Sequence, residues 1–423
     1  MTYEQVIETI GKAVWRGSRL GLSRTRELLA RLGNPQDSLR FVHVAGTNGK
    51  GSTSAMLSFV LAQAGYCAGL YISPFVNHFS ERMQVNNVPI SDAELIEIAQ
   101  DVTAQAEQME DKPTEFELIT AIAMCFFLRR RCDIVVLEVG LGGRLDSTNV
   151  IATPLAAVIT AMGFDHQKQL GSTMGQIAAE KAGIIKEGGD VVIYGENAEA
   201  ETVFGSVCRI RNARLHKANF SKLQLLSLTH TAQTFRYGEE IYSLPLLGSY
   251  QPKNAAVVLT VLEVLRERGF TISQTAVKEG LAHTRWPARF EILRENPTVI
   301  VDGGHNPQGV QGTVDSLHAH FPGKKVHFVV GVMADKDATA MLSLLAPCAA
   351  AYWAVAANTP RALPAHELAE LLSVQPVPVQ AASSVEEGIH QAIKAAGTDG
   401  IVCAVGSLYM SGTIRAAVAS SER

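Results

Sequence analysis

At 423 residues the chain is too long for one ordinary hydrophobic core, which implies about two to three domains that each bury an apolar centre. Its 47% hydrophobic and 18% charged residues are those of a soluble globular protein, and a net charge of −4 argues against a nucleic-acid partner. The longest apolar run, residues 118–128, contains Thr120 and is shorter than the roughly 20 residues that span a bilayer, so it excludes a membrane segment and reads as a buried helix.

In chain order, residues 3–14 have amphipathic spacing and carry Glu4, Glu8 and Lys12, a helical pattern unlike a secretory leader. Residues 20–24 lead to a second helix, stopped near Leu32-Gly33-Asn34-Pro35. A short β-branched run at 42–45 then halts at Gly46-Thr47-Asn48-Gly49-Lys50-Gly51-Ser52, and helical spacing resumes through Met56, Leu57, Val60 and Leu61. Strand, glycine loop and helix in this order form a phosphate cradle. Glycines let backbone N–H groups converge on an anion, the helix start adds its positive dipole end, and Lys50 can reach the terminal phosphates of a nucleotide. The usual P-loop pattern is not met in full, because its first glycine falls at Val44 and Gly51 replaces the hydroxyl residue expected after the lysine, with Ser52 and Thr53 behind it. A tight turn capping a core helix is the structural alternative; the flanking strand and helix favour phosphate binding.

A buried strand follows at 67–72, closed by Ser73-Pro74 and an irregular polar loop at 75–87. Residues 92–110 and 117–131 are helical by apolar spacing, and 133–139 is a nearly all-apolar strand, so the sheet is expected to be parallel and covered on both faces. Glu138 closes that strand just before Gly140-Leu141-Gly142-Gly143-Arg144-Leu145-Asp146. Ligands of open α/β sheets sit outside the carboxyl ends of the strands, so Glu138 is placed either to face a nucleotide's magnesium or simply to lie exposed at a strand end. The strand at 155–160 repeats the arrangement with Gly163-Phe164-Asp165-His166, where His166 is either a ligand or a satisfied surface side chain. A helix at 174–185 contains Lys181, which spacing alone makes an ordinary solvated lysine. Residues 191–195 read as a strand and 200–247 as polar and irregular, apart from an antiparallel hairpin at 235–244. Gly248-Ser249-Tyr250-Gln251-Pro252-Lys253-Asn254 starts a helix reaching about residue 269.

A boundary falls at Trp286-Pro287-Ala288-Arg289, dividing an ATP-binding domain at 1–288 from a smaller one at 289–423. In the latter, βα alternation begins anew at 299–301, with Asp302-Gly303-Gly304-His305-Asn306-Pro307 opening a helix, and continues at 326–332, 352–355 and 401–406. The expected class is α/β: a P-loop-containing, mostly parallel sheet followed by a Rossmann-like domain. Six cysteines, Cys67, Cys125, Cys132, Cys208, Cys348 and Cys403, lie far apart and mostly in apolar runs, as buried reduced thiols of a cytoplasmic protein do.

These motifs, with Glu180-Lys181-Ala182-Gly183-Ile184 and Arg289-Phe290-Glu291, resemble the folylpolyglutamate synthase family, including its bifunctional dihydrofolate synthase form, within the Mur ligase superfamily. They arrive in the family's order over nearly the whole chain. The resemblance implies that Thr47, Asn48, Gly49, Lys50, Gly51 and Ser52 hold the ATP phosphates. It also implies that Ser73, Glu138, His166 and a carbamylated Lys181 surround Mg2+, with K+ as a further cation, and thereby overrules the solvated reading of Lys181. Asn254, Arg289, Asp302 and His305 would reach the nucleotide, and closure of one domain on the other would complete the site. The loop at 73–87, with Phe75, Phe116, Glu117, Leu145, Asp146 and Ser147, resembles the region that takes the pterin. The chain departs from the family at Phe75, where histidine is common, at Gly304 and Ser147, where alanine is, and at Gln167-Lys168-Gln169 after His166.

The implied partners are folate or dihydropteroate and L-glutamate, acted on by a monomer. An acyl phosphate made from ATP would be attacked by the glutamate amine, which needs no protein nucleophile and agrees with the lack of a Ser-His-Asp or Cys-His arrangement. A cell-wall ligase acting on a nucleotide-linked sugar peptide shares the cradle, but the residues 180–183 and the folate-type loop argue against it. A P-loop switch without transfer chemistry would leave residues 302–307 unexplained.

Overall fold

A computed structural model describes residues 2–12 and 21–420. The first helix spans Tyr3–Gly11 and the second Ser23–Arg31; Val14 and Leu20, part of the expected path between them, lie outside the described residues. The chain clusters into two compact units, one of Met1–Met162, Leu170–Ser221 and Lys253–Thr284, the other of Gly163–Gln169, Lys222–Pro252 and Arg285–Arg423.

The first unit is built on β1 (Phe41–Ala45), β2 (Ala68–Tyr71), β3 (Met83–Val85), β4 (Val88–Pro89), β5 (Ile134–Glu138), β6 (Ala156–Ile159), β7 (Asp190–Ile193) and β8 (Arg214–Lys217). Their order across the sheet is β4-β3-β2-β5-β1-β6-β7-β8, parallel from β2 to β8. Every residue of β1, β5 and β6 is buried, which is why these strands are continuous apolar runs rather than alternating ones. Helices cover both faces. Leu28, Ile98 and Ile122 belong to the core on one side, and Met174, Ala178 and Phe204 to the core on the other.

Two stretches expected to be irregular are ordered. The loop at 75–87 holds a 3-10 turn at Phe79–Arg82 and the hairpin β3–β4, whose two-residue turn is Asn86-Asn87 with φ of 50° and 64°. Asparagine tolerates that left-handed backbone, the geometry a tight hairpin demands. Residues 200–247 contain a helix, Ala198–Ile210, whose first turn is capped by Asn197 accepting from the Ala200 N–H, and then β8. Its solvent face carries Glu199, Glu201 and Arg209, so little of its sequence is apolar.

Asp190, at the start of β7, is fully buried. Its carboxylate accepts from Arg214 Nη2 at 2.9 Å, Arg268 Nε at 2.9 Å and His216 Nε2 at 2.9 Å. Burial pushes this carboxyl up, but the hydrogen bonds from Arg214, His216 and Arg268 outweigh it and hold it at about 2. A depressed folded-state value stabilises above the unfolded value near 4 and is lost as pH falls toward 2, so Asp190 contributes roughly 2.5 kcal/mol at neutral pH. Thermal unfolding of Asp190→Asn should therefore fall below wild type at pH 5 to 8, with the gap closing in acid; a gap independent of pH would contradict this.

The second unit contains a three-stranded antiparallel sheet, β9 (Leu223–Leu228), β10 (Gln233–Tyr237) and β11 (Glu240–Leu244), in the order β11-β10-β9. It also contains β12 (Glu291–Arg294), β13 (Thr298–Val301), β14 (Val326–Val330), β15 (Ala349–Ala354), β16 (Val379–Ala381) and β17 (Ile401–Val405), ordered β12-β13-β17-β14-β15-β16 and parallel except at β12. The small sheet belongs here because Leu247 joins the core of Phe290 and Val314, and Ser249 N–H donates to Ser316 Oγ at 2.9 Å. Sequence spacing missed β12 and β16, both short edge strands with little apolar signal.

Candidate active site

The glycine loop leaves β1 and enters the helix Lys50–Gln63. Gly46 has φ of 148° and Gly49 of 85°. A Cβ on Gly46 would collide with Thr160 Oγ1, and one on Gly49 would lie 2.6 Å from Asn254 Oδ1, so no larger residue fits either place. The N–H groups of Thr47 and Asn48 donate to Ala161 O at 2.9 and 3.1 Å, tying the loop to the end of β6. Thr160 Oγ1 donates to Asn48 O at 2.8 Å. Lys50 folds back over the loop, its Nζ donating to Gly46 O and Thr47 O at 3.2 Å each.

Lys181 is not the solvated side chain that its spacing predicts. It is 4% exposed, and its Nζ donates to the same Gly46 carbonyl at 2.8 Å. Its helix, Met174–Ala182, is packed so that this residue points inward, a fact set by tertiary contact rather than by local pattern. Glu138 is likewise buried, 4% exposed, with Oε2 accepting from the Ser73 N–H at 3.1 Å. Among the described residues no group of three or more His, Cys, Asp or Glu could hold a metal ion. The Glu138 carboxylate, beside Ser73, is the kind of oxygen donor magnesium takes when it binds through one or two carboxylates and the phosphates of a nucleotide. The residues present therefore fit a magnesium that arrives with ATP.

The residues assigned to the pterin region fall into two groups. Phe75 packs edge-on to Phe79 at 6.1 Å, and the Arg82 guanidinium lies 5.3 Å from the Phe75 ring centre and 5.6 Å from that of Phe79. The others brace the neighbouring loop. Asp146 is buried and accepts from Leu141 N–H at 2.8 Å, Thr148 N–H at 3.0 Å and Thr148 Oγ1 at 2.5 Å; burial pushes its carboxyl up. His43, whose ring burial pushes down to about 3, donates from Nε2 to Thr148 Oγ1 at 2.8 Å, fastening β1 to this loop. Ser147 Oγ is 2.7 Å from Thr120 Oγ1, Phe116 packs under Gly140, and Leu145 is half-buried. Glu117 accepts from Arg24 Nε at 3.0 Å and from the Thr114 N–H at 2.7 Å, with both charged side chains buried. Removing Glu117 takes the buried carboxylate from Arg24 and leaves its guanidinium to the half-exposed Asp111 at 3.5 Å, so Glu117→Ala should lose about 3 kcal/mol in urea unfolding. A loss below 1 kcal/mol, roughly that of a surface pair, would contradict the pairing.

In the second unit, Asp165 accepts from Asn306 Nδ2 at 3.2 Å and from the His166 N–H at 2.8 Å, and is salt-bridged to Lys336. His305 Nε2 lies 3.5 Å from its Oδ2, while His305 Nδ1 donates to Gly303 O at 2.8 Å. Burial pushes Asp165 up, yet His305, His166 and Lys336 outweigh it and hold the carboxyl well below the usual range. His166 itself has φ of 50°, a strained backbone for a non-glycine residue. Asp302 is buried and accepts from Tyr250 OH at 3.0 Å, the Gly304 N–H at 2.7 Å and Thr313 Oγ1 at 3.0 Å, which shapes the loop at 302–307; burial pushes its carboxyl up. Arg289 sits between Ala288 and Phe290, with φ of 56° and 51°, and reaches over Gly303. Sequence reasoning missed Lys336, Arg24 and Tyr250; all three act on partners more than 50 positions away, and nothing local announces them.

Two family descriptions match the chain, the Mur ligase middle domain over residues 44–262 and the Mur ligase glutamate ligase domain over residues 288–408. The dihydrofolate synthase/folylpolyglutamate synthase of Bacillus subtilis is 35% identical over 417 residues, covering 94% of this chain and 95% of the relative. Mycobacterium tuberculosis folylpolyglutamate synthase, solved with ADP and AMPPCP, is 28% identical with a TM-score of 0.90, covering 98% of this chain and 99% of that one. Escherichia coli FolC, solved with DHPP and ADP, is 28% identical with a TM-score of 0.85 and covers 99% and 98%.

Proposed function

This chain belongs to the folylpolyglutamate synthase/dihydrofolate synthase family of Mur ligases, and on that premise we propose how its own residues join L-glutamate to a folate at the expense of ATP. The observation that carries the proposal is the convergence of two lysines, Lys50 and Lys181, on the carbonyl of Gly46 at the mouth of the phosphate loop. A simple nucleotide-binding turn needs only one.

A carboxylate is a poor electrophile. One of its oxygens attacks the γ-phosphorus of ATP, ADP departs, and an acyl phosphate results. The glutamate amine then attacks the acyl carbon, loses a proton, and phosphate leaves with the oxygen that the acid supplied. Thr47 to Ser52 cradle the phosphates, and Lys50 stabilises the charge that develops on the transferred group. Glu138 and Ser73, with a carbamylated Lys181, would hold magnesium, which when bound neutralises phosphate charge. Carbamylation of Lys181 would take its ammonium through the neutral amine and join the nitrogen to CO2, releasing two protons in all and replacing a cation with oxygen donors. Asn254, Arg289 and His305 are assigned to the nucleotide, with Asp302 holding the loop that carries His305. Phe75 and Phe79 offer an aromatic surface for the pterin. The monomer is taken as the catalytic unit, and its six free thiols fit the cytoplasm.

An ADP-release assay with tetrahydrofolate or dihydropteroate, each with and without glutamate, tests this reading. ADP should form at steady state only when acceptor and glutamate are both present. ADP formed equally without either would point to an ATP-hydrolysing switch, and ADP formed only with a nucleotide-linked sugar peptide to a cell-wall ligase.

A further inference from the structure

Four of the six cysteines are buried, and two, Cys67 and Cys125, are half-buried. Cys67 stands immediately before β2 and Cys132 two positions before β5, and these strands are parallel neighbours with Ala68 opposite Ile134. Two hydrogen bonds hold the strand starts together: the Asp133 N–H donates to Cys67 O at 2.9 Å, and the Cys67 N–H donates to Asp133 Oδ2 at 2.8 Å. Both cysteine side chains turn to one face, since Cys132 belongs to the core of Ile122 and Phe127 and Cys67 packs against that core. Their sulfurs lie 4.0 Å apart, and Cys67 Sγ is 3.5 Å from Arg130 O. Neighbouring strands run about 4.8 Å apart and one residue of offset adds about 3.3 Å, which separates the two Cα atoms by roughly 6 Å, the usual span of a disulfide. Cys348 and Cys403 also neighbour one another, but they are 3% and 0% exposed, out of reach of a dissolved oxidant.

We propose that Cys67 and Cys132 are a reversible dithiol–disulfide site at the amino ends of β2 and β5, oxidised by hydrogen peroxide or an organic hydroperoxide. Cys67 is the half-buried partner and meets the oxidant first. Its sulfur, having lost its proton, attacks one peroxide oxygen; the O–O bond breaks, the other oxygen leaves and takes up a proton as water or alcohol, and Cys67 becomes a sulfenic acid. The Cys132 sulfur then attacks that of Cys67; the S–O bond breaks, the S–S bond forms, and the oxygen leaves as water with the Cys132 proton. Two thiols lose two electrons and the peroxide gains them. Burial, and Cys67 beside it, push the Cys132 thiol up, so it stays a shielded thiol until a sulfenic acid forms within its reach. A thiol already in contact captures the sulfenic acid before a second peroxide carries it to sulfinic acid, which thiols do not reduce. Ser73 and Glu138 each stand six residues farther along, about 20 Å away at the other ends of these strands. The pair therefore protects Cys67 from irreversible oxidation and leaves turnover alone.

Peptide mass mapping of the folded, full-length protein after exposure to hydrogen peroxide tests this, with the remaining thiols alkylated once the oxidant is removed. Wild type should yield a peptide linked between positions 67 and 132 that dithiothreitol separates, with turnover per chain unchanged while the link is in place. In Cys132→Ala, Cys67 should instead accumulate sulfinic and sulfonic acid that dithiothreitol does not reverse. Cys67→Ala, at the more exposed of the two positions, should keep the fold and form no disulfide at Cys132. Absence of the 67–132 link in wild type, or a link found only after the chain has unfolded, would overturn the proposal. So would over-oxidation of Cys67 at the same rate in wild type and Cys132→Ala, or a wild-type turnover that falls as the link forms and returns on its reduction.

Discussion

Lys50→Ala is expected to lower kcat by a factor on the order of 100 to 1,000, with little change in thermal midpoint. The ammonium stands at the first turn of the helix Lys50–Gln63 and is held over the loop by Gly46 O and Thr47 O. On the proposed reading those contacts hold it where the terminal phosphate of a cradled nucleotide would lie. The charge it meets grows as the phosphoryl group moves from ADP to the acid, so its loss falls on the transition state more than on ATP affinity. The N–H groups of the loop beyond Thr47 and Asn48, which are bonded to Ala161 O, remain for the nucleotide, which is why binding should survive better than turnover. Lys50→Arg should not restore the rate, because a planar guanidinium cannot place its charge as a compact ammonium does. Steady-state ADP formation alongside a thermal melt checks both points. Near-normal kcat for Lys50→Ala would remove this lysine from the chemistry.

A second large effect is expected at Lys181. Lys181→Ala should reduce turnover by a comparable factor, and short carboxylic acids added to the assay should recover part of it by supplying the oxygens that a carbamate would have provided. Lys181→Arg should be as inactive as alanine and should not respond to the acids. If Lys181 acted only as a buried cation propping Gly46, arginine would retain activity and carboxylic acids would do nothing. Glu138→Ala should join Lys181→Ala in losing activity, since its buried carboxylate would belong to the same proposed set of oxygen donors.

The strand–glycine loop–helix geometry was legible because everything that shapes it is local: β1, two glycines with left-handed backbone, and a helix start follow one another within about twenty residues. Glu138 was legible for a similar reason, as the last residue of an apolar strand whose carboxyl end points to the ligand side of any parallel sheet. Lys181 was not. Its burial depends on a carbonyl 135 positions earlier, and helical spacing gives no sign of it. The same holds for Glu117, paired with Arg24 across 93 positions, and for Lys336, paired with Asp165 across 171. The hairpin at Asn86-Asn87 and the Asn197-capped helix are different cases. Their signals were present in the sequence as turn and cap chemistry, but polar composition around them masked the apolar periodicity that spacing arguments follow.

The central claim is that the acid is activated by taking the γ-phosphoryl group of ATP. Tetrahydrofolate labelled with 18O in its γ-carboxylate, turned over with ATP and glutamate, tests it directly. The account predicts one labelled oxygen in each inorganic phosphate released, carried there when the amine displaces the acyl phosphate. Phosphate without label, at an undiminished rate of amide formation, would contradict it.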